Sequence, residues 1–296
     1  MNTLLESQLE QIATRKRKPR PVRPSITTES RYNAELQRIV RAVRADIDAA
    51  LIPMIKALER DYIADSWVDV ISGGFRSLLA KWNSEQYRVL ANRLASQFVQ
   101  AANTKNDRKF KNSLGIEVQG LGVNIYGGSP ELQDYLAASA YDNALLIKSI
   151  PAQYLGQVES LVMTNMRAGL RPSAITRQLQ QQFGITQRRA KFIARDQTSK
   201  INGDLNEKRQ KAIGGEYFQW LSSDDERVRH NHRVIANRVT AYGKGIYRWD
   251  NLPLSEKGEP IKPGSDYNCR CVGVMVSAAQ VEENKKQGRT APGVKR

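Results

Sequence analysis

The sequence predicts a mainly α-helical protein that ends in a small α+β unit. Up to Ile213, apolar residues recur at three- and four-residue steps, the spacing that puts them on one face of a helix. After Gly214-Gly215 the pattern changes to short strand signals, EYFQWL, RVTAYGKGIYRWD and NCRCVGVMV, separated by loops rich in Gly, Pro and Ser. Extended helices therefore come first and the small unit comes last.

Both ends of the chain are predicted to be basic tails. Residues 1–24 are expected to form a disordered arm, because prolines alternate with charges that repel one another. This arm is either a phosphate-binding or partner-binding segment or an ordinary solvated tail. A second basic tail is predicted over 277–296. The candidate DNA contacts in the arm are Arg15, Lys16, Arg17, Lys18 and Arg20.

Residues 25–114 are predicted to be a helical region whose apolar stripes pack together or bind a partner. A long helix is expected over Glu29–Asp65, kinked at Pro53 because proline lacks the backbone N–H. Further helices are expected over Trp67–Ala80 and from Ser84 to about Thr104.

A glycine-punctuated, strand-like connection over 115–128 separates this region from the next helices. Ser129-Pro130 is typical of a helix start. Pro151 is expected to begin a new helical segment, and two more helices are predicted over Pro172–Phe183 and from Thr186 to about Ile213.

Composition limits the function classes. The 296 residues carry a formal net charge of +16, which favours a polyanionic partner such as DNA. No run approaches the roughly 20 apolar residues of a membrane span. The basic run at the N-terminus comes in the wrong place for a secretory signal, so we expect the chain to stay in the cytoplasm where it is made. Two cysteines cannot form a disulfide scaffold.

Four elements then follow in a characteristic order. A basic helical stretch, RRAKFIARDQTSKINGDLN, comes first, and the aromatic strand Tyr217–Trp220 follows. The string DERVRHNH and the closing N-C-R-C complete the series. This ordered series resembles the phage Mu F-like family of minor head, or head morphogenesis, proteins, with a module placed at 129–276. The matching motif residues are Asp225, Arg227, Arg229, His232, Asn268, Cys269, Arg270 and Cys271.

The resemblance implies a non-enzymatic virion protein that acts in capsid assembly, portal association, and DNA packaging or ejection. It implies the portal protein and phage DNA as partners, with scaffold or major capsid protein as further candidates and no membrane. The expected location is the capsid interior near the portal, after assembly in the host cytoplasm. The extended N-terminal helices precede the Mu F-like module.

His232, Cys269 and Cys271 are residue types that can bind zinc, with Asp225 or His230 as the fourth ligand. The alternative is that both cysteines are small buried apolar residues with His232 hydrogen-bonded beside them. We therefore expect no cofactor and keep a structural zinc ion as the competing interpretation.

The charged residues of the two motifs suggest a structural role. Acidic residues 224–226 are followed in the sequence by Arg227 and Arg229. Arg270 is expected to lie near them in the fold. Arginine–carboxylate pairs hold geometry well. We expect an ion-pair cluster that fixes this loop against the strands.

A second set of DNA contacts is predicted on the basic helix. Positions 188, 191 and 195 share one helix face, whereas Phe192, Ile193 and Ile201 should face inward. Such a face contacts phosphates without reading sequence, or it is simply solvated. The candidates are Arg188, Arg189, Lys191, Arg195 and Lys200.

Two other function classes compete with a head protein. One is a general, non-specific DNA-binding protein. The other is a metal-dependent nuclease, suggested by the literal string His230-Asn231-His232. In HNH nucleases these residues are dispersed rather than contiguous, and no phosphate-binding loop of the type G-x-x-x-x-G-K-[ST] is present. We therefore predict that the protein is not an enzyme.

Overall fold

The predicted fold class is confirmed. A computed structural model of the protein describes residues 19–60, 67–114, 129–223 and 225–291. These residues form seven α-helices and five short β-strands, with the strands confined to the C-terminal third. Among them, no helix is both long enough and apolar enough to cross a lipid bilayer. The predicted connection at 115–128 lies outside the described residues, as do residues 1–18 of the predicted arm.

Five long helices come first along the chain. They are α1 (Ile26–Arg60), α2 (Trp67–Trp82), α3 (Glu85–Leu114), α4 (Pro130–Arg167) and α5 (Pro172–Ala212).

The C-terminal region contains short elements. They are β1 (Tyr217–Leu221), α6 (His230–Asn237), β2 (Val239–Thr240), β3 (Gly243–Lys244), β4 (Ile246–Arg248), β5 (Val272–Val276) and α7 (Ala278–Lys286). Strand β1 is central in a three-stranded antiparallel sheet of order β4-β1-β5, in which Phe218 pairs with Tyr247 and Met275. Strands β2 and β3 form a separate two-stranded ladder.

The chain divides into two compact units. The helical unit consists of Thr27–Val99 and Leu136–Arg195. The mixed unit consists of the described residues of Met1–Ile26, Gln100–Tyr135 and Asp196–Arg296. These units cut across the predicted domain ranges, because α3, α4 and α5 each contribute residues to both.

The helical unit is held by the apolar stripe that the sequence predicts. Leu36, Val43, Ile47 and Leu51 of α1 are fully buried. The Tyr32 ring stacks on Phe98 with centroids 3.8 Å apart, and its hydroxyl donates to Asn143 Oδ1 at 3.1 Å. Burial of this stripe supplies the main stabilisation, and the buried hydroxyl is satisfied, as a buried polar group must be.

The mixed unit joins the end of α5 to the sheet through buried amides. The Gln210 side chain donates to the Gly273 carbonyl at 2.9 Å and accepts from the Trp249 indole at 3.3 Å. Asn202 and Asn206 each donate to the Val22 carbonyl at 2.9 Å. Thus the described part of the predicted N-terminal arm, at Val22, is packed against the fold. Part of the predicted C-terminal tail likewise forms α7.

Two predicted helix boundaries are wrong. The sequence suggested that a new segment starts at Pro151 and that helices break between Phe183 and Thr186, but α4 runs through Pro151 and α5 runs through Gly184. Glycine costs a helix only about 1 kcal/mol. In α5 this cost is offset by burial of Leu179 and Ala190 on either side.

Pro151 is accommodated by a side chain from another helix. Because proline has no N–H, the carbonyl of Ile147, four residues earlier, loses its usual helical donor. The Tyr87 hydroxyl donates to this carbonyl at 3.0 Å. Tyr87 is itself buried, so the backbone oxygen and the phenol satisfy each other inside the core.

Replacing Tyr87 with phenylalanine should therefore destabilise the protein. The change keeps the ring but leaves the Ile147 carbonyl buried without its donor, so we expect a loss of about 1–2 kcal/mol in the free energy of unfolding. Urea denaturation measures this loss. The control is Tyr141→Phe, because Tyr141 lies on α4, the helix that contains Pro151, and is 65% exposed. Equal stability of the two variants would contradict the account of Pro151.

Candidate functional site

The imidazole of His232 lies in the core of the mixed unit. Helix α6 turns His232 and Ile235 inward, because positions three apart share a helix face. His232 is 3% exposed, and its ring meets the Trp220 ring of β1 edge-on with centroids 5.4 Å apart. The other histidine of the string, His230, is exposed at the start of α6.

Both cysteines of the closing motif face this imidazole. Cys269 and Cys271 lie in the segment that leads into β5, and residues two apart in extended chain point to the same side. Each sulfur lies 3.6 Å from His232 Nδ1. Within the described residues, His232, Cys269 and Cys271 form one group whose potential ligand atoms all lie within 4.8 Å of one another.

The second nitrogen of His232 faces a carboxylate. Its Nε2 lies 3.4 Å from Asp266 Oδ2. The same carboxylate oxygen is 3.2 Å from the Arg229 guanidinium, and Asp266 Oδ1 accepts the Tyr267 backbone N–H at 2.8 Å. Asp266 is thus fixed from two sides, and it favours the tautomer in which Nε2 carries the hydrogen and Nδ1 presents its lone pair to the sulfurs.

The two cysteine thiols share one hydrogen bond. The hydrogen bond from the Cys271 S–H lowers the pKa of Cys269 well below its ordinary value, although burial opposes this. The hydrogen bond to Cys269 raises the pKa of Cys271, and burial raises it further, whereas Trp220 and Arg270 lower it.

The DERVR segment is tied to the cysteine segment by an ion pair. Both terminal nitrogens of Arg270 contact the Asp225 carboxylate, one of them at 2.5 Å. The hydrogen bond from Arg270, together with the Arg227 backbone N–H, lowers the pKa of Asp225. Arg229 pairs instead with Asp266, whereas the Arg227 side chain is exposed. Residue 224, which the sequence placed in this cluster, lies outside the described residues.

This pairing removes Asp225 as the predicted fourth metal ligand. Both of its carboxylate oxygens are occupied by Arg270. His230, the other predicted fourth ligand, is exposed and lies outside the three-residue group. The cluster therefore offers three protein ligands among the described residues.

Helix α5 fixes the turn that carries the cysteines. Asp196 is buried, pairs with Lys200 at 2.8 Å, and accepts the Asn268 backbone N–H at 2.9 Å. Asn268 has a positive φ of 52°, a conformation that asparagine tolerates better than most residues. This explains why asparagine precedes Cys269 in the N-C-R-C motif.

Two residues of this site were not identified from the sequence. Asp196 carried a usable signal, since it is the single acidic residue within the basic stretch 188–200. Asp266 carried none, because its partner His232 lies 34 positions earlier and no local pattern connects them.

The predicted DNA contacts on α5 fall into two groups. Arg188 and Lys191 are exposed and Arg195 is half-buried. Arg189 instead donates to Ser149 Oγ at 2.9 Å, and burial lowers its pKa. Lys200 pairs with Asp196 and lies 4.6 Å from the centre of the Tyr267 ring. The structure therefore gives these two residues internal partners.

The remaining predicted contacts are mostly outside the described residues. Arg15, Lys16, Arg17 and Lys18 lie outside the described residues, and Arg20 is exposed. Of the three apolar residues that were expected to face inward from α5, Ile193 and Ile201 are buried. Phe192 is 38% exposed, so its predicted orientation is wrong.

Comparison with known proteins confirms the resemblance to the family. Residues 156–274 match the sequence model of the family described as "Phage Mu protein F like protein". The matched segment, which covers less than half of the chain, contains α5, strands β1 and β4, the start of β5 and both motifs. The match supports a general assignment to the proteins of phage head morphogenesis.

One relative shares most of the chain. A Haemophilus influenzae protein described as "Uncharacterized protein" is 30% identical over 266 residues, which cover 88% of this chain and 56% of the relative. The chain thus spans about half the length of this relative, and the shared sequence reaches into the helices before residue 156. No solved structure gives a significant match.

The Asp225–Arg270 pair should make stability depend on pH. The folded protein lowers the pKa of Asp225 from its ordinary value near 3.8. The stabilisation is therefore present above that value and lost as the pH falls through the lower pKa of the folded state. We expect Asp225→Asn to lower Tm by a few degrees at most at neutral pH, since the pair is partly exposed.

Thermal melts of wild type and Asp225→Asn between pH 7 and strongly acidic pH measure this effect. The difference in Tm should shrink as the carboxylate is protonated. The matched control is Glu226→Gln, because Glu226 is an exposed neighbour. A difference that grows toward acidic pH would contradict the ion pair.

Proposed function

We propose that this protein is a minor head protein of a tailed phage, a non-enzymatic virion component that acts at the portal during capsid assembly. The Mu F-like segment over 156–274 carries this proposal. The partners that follow are the portal protein and phage DNA, with scaffold or major capsid protein as further candidates. The proposed location is the capsid interior near the portal.

We propose in addition that the chain contacts DNA through one face of α5. The net charge of +16 favours association with a polyanion. Arg188, Lys191 and Arg195 lie at steps of three and four on a single helix, in positions that are exposed or half-buried. Contacts of this kind neutralise phosphates and release counterions, so they do not depend on sequence.

Reversing the three charges on this face should weaken DNA binding. We expect a triple change of Arg188, Lys191 and Arg195 to glutamate to lower the affinity for duplex DNA at low salt by at least about tenfold. The slope of log affinity against log salt should fall by about 3, since each phosphate contact contributes about 0.9. Fluorescence anisotropy with a labelled duplex over a salt series measures both quantities.

The control changes the same amount of charge elsewhere in the helical unit. Arg31, Arg76 and Arg93 are exposed and lie on three other helices. Their conversion to glutamate should leave the salt slope near that of wild type. Equal losses in the two triple variants would show that net charge alone governs binding, and affinity that is independent of salt would exclude the phosphate contacts.

Association with the portal separates a head protein from a general nucleic-acid-binding protein. When the chain is co-expressed with the portal protein of its phage, we expect the two to co-purify after exhaustive nuclease treatment. Loss of the complex on nuclease treatment would favour the general DNA-binding function instead. Cleavage of plasmid DNA in the presence of magnesium or zinc would overturn the non-enzymatic proposal.

A further inference from the structure

We propose that His232, Cys269 and Cys271 bind one zinc ion, which closes the core of the mixed unit. In this site His232 Nδ1 and the two cysteine sulfurs are the ligands. Asp266 is a positioning residue that holds the imidazole through its other nitrogen. The inference concerns the stability of the module and is independent of portal or DNA binding.

The distances between the ligand atoms carry the proposal. A tetrahedral zinc ion with bonds of about 2.3 Å to sulfur and about 2.0–2.1 Å to nitrogen separates a sulfur from a nitrogen by about 3.6 Å. Both sulfurs lie 3.6 Å from His232 Nδ1. The three residues therefore already have the separations that two edges of a zinc tetrahedron require.

The carboxylate beside His232 Nε2 supports Nδ1 as the ligand atom. Histidine ligands of metals usually donate their second N–H to a carboxylate, which fixes the tautomer and the ring. His232 Nε2 faces Asp266 Oδ2 at 3.4 Å, while Arg229 holds that carboxylate from the opposite side at 3.2 Å. Nδ1, the nitrogen that faces both sulfurs, is thereby left as the ligand atom.

Burial and charge also favour a cation at this point. His232, Cys269 and Cys271 are each no more than 4% exposed. Two thiolates and a neutral imidazole around Zn²⁺ carry no net charge, so the complete site avoids the cost of an unpaired buried charge.

The donor set selects the metal. Two thiolates and one imidazole suit zinc, whereas magnesium and calcium prefer oxygen ligands. Three protein ligands leave the fourth position to water or to a small ligand. The competing explanations are two inert buried thiols and a bond between Cys269 and Cys271, which would be strained with a single residue between them.

Metal analysis of the full-length chain, purified without chelators and with zinc in the growth medium, tests the site directly. We expect one zinc ion per chain by mass spectrometry of the metal. Exchange with cobalt should give the thiolate-to-cobalt charge-transfer absorption of a tetrahedral site. Removal of the metal with a chelator should lower Tm, and addition of zinc should restore it.

Variants distinguish the ligands from the positioning residue. Cys269→Ser and Cys271→Ser should each abolish stoichiometric binding and the cobalt absorption. Asp266→Asn should keep one zinc per chain at saturation but weaken its affinity about 10- to 100-fold in competition with a chelator. Because the wild-type measurements need no variant, a variant that fails to fold does not prevent the test.

Two results would overturn the proposal. The first is a folded wild-type chain that takes up no zinc or cobalt when these are supplied, with both thiols free and Tm unaffected by chelator. The second is a disulfide between Cys269 and Cys271 in the protein as isolated under reducing conditions.

Discussion

The fold of the mixed unit depends on the contact between two short segments that are distant in sequence. Residues 225–232 lie against residues 266–271 through several polar contacts. His232 contacts the two cysteine sulfurs and Asp266, Arg229 pairs with Asp266, and Asp225 pairs with Arg270. Both segments lack extensive regular structure, so few backbone ladders hold them. The contacts between the two segments therefore hold them in place. They also give the buried polar groups the hydrogen-bond partners that such groups need.

This constraint connects the basic helix to the sheet as well. Asp196 of α5 fixes the turn at Asn268, and Gln210 near the end of the same helix holds the Gly273 carbonyl of β5. The part of α5 from Asp196 onward thus contacts the N-C-R-C segment and β5 within the mixed unit.

The sequence predicted the helical class, the position of the sheet and the residues of the cysteine–histidine group. These features follow from local periodicity and from residue type, as the buried stripe of Leu36, Val43 and Ile47 illustrates. It did not predict that α4 continues through Pro151, because the donor that accommodates the proline is Tyr87 on another helix. Asp266 was missed for the same reason: its role depends on a distant partner, and local patterns do not record tertiary contacts.

Every contact in this site depends on the imidazole of His232 lying beside both cysteines with Nδ1 free of hydrogen. Nuclear magnetic resonance of the chain labelled at histidine and cysteine measures this arrangement. We expect cross-peaks from the His232 ring to the β-hydrogens of both cysteines, and a nitrogen spectrum in which Nε2 carries the hydrogen. A solvent-exposed imidazole without these cross-peaks, or one protonated at Nδ1, would exclude this arrangement.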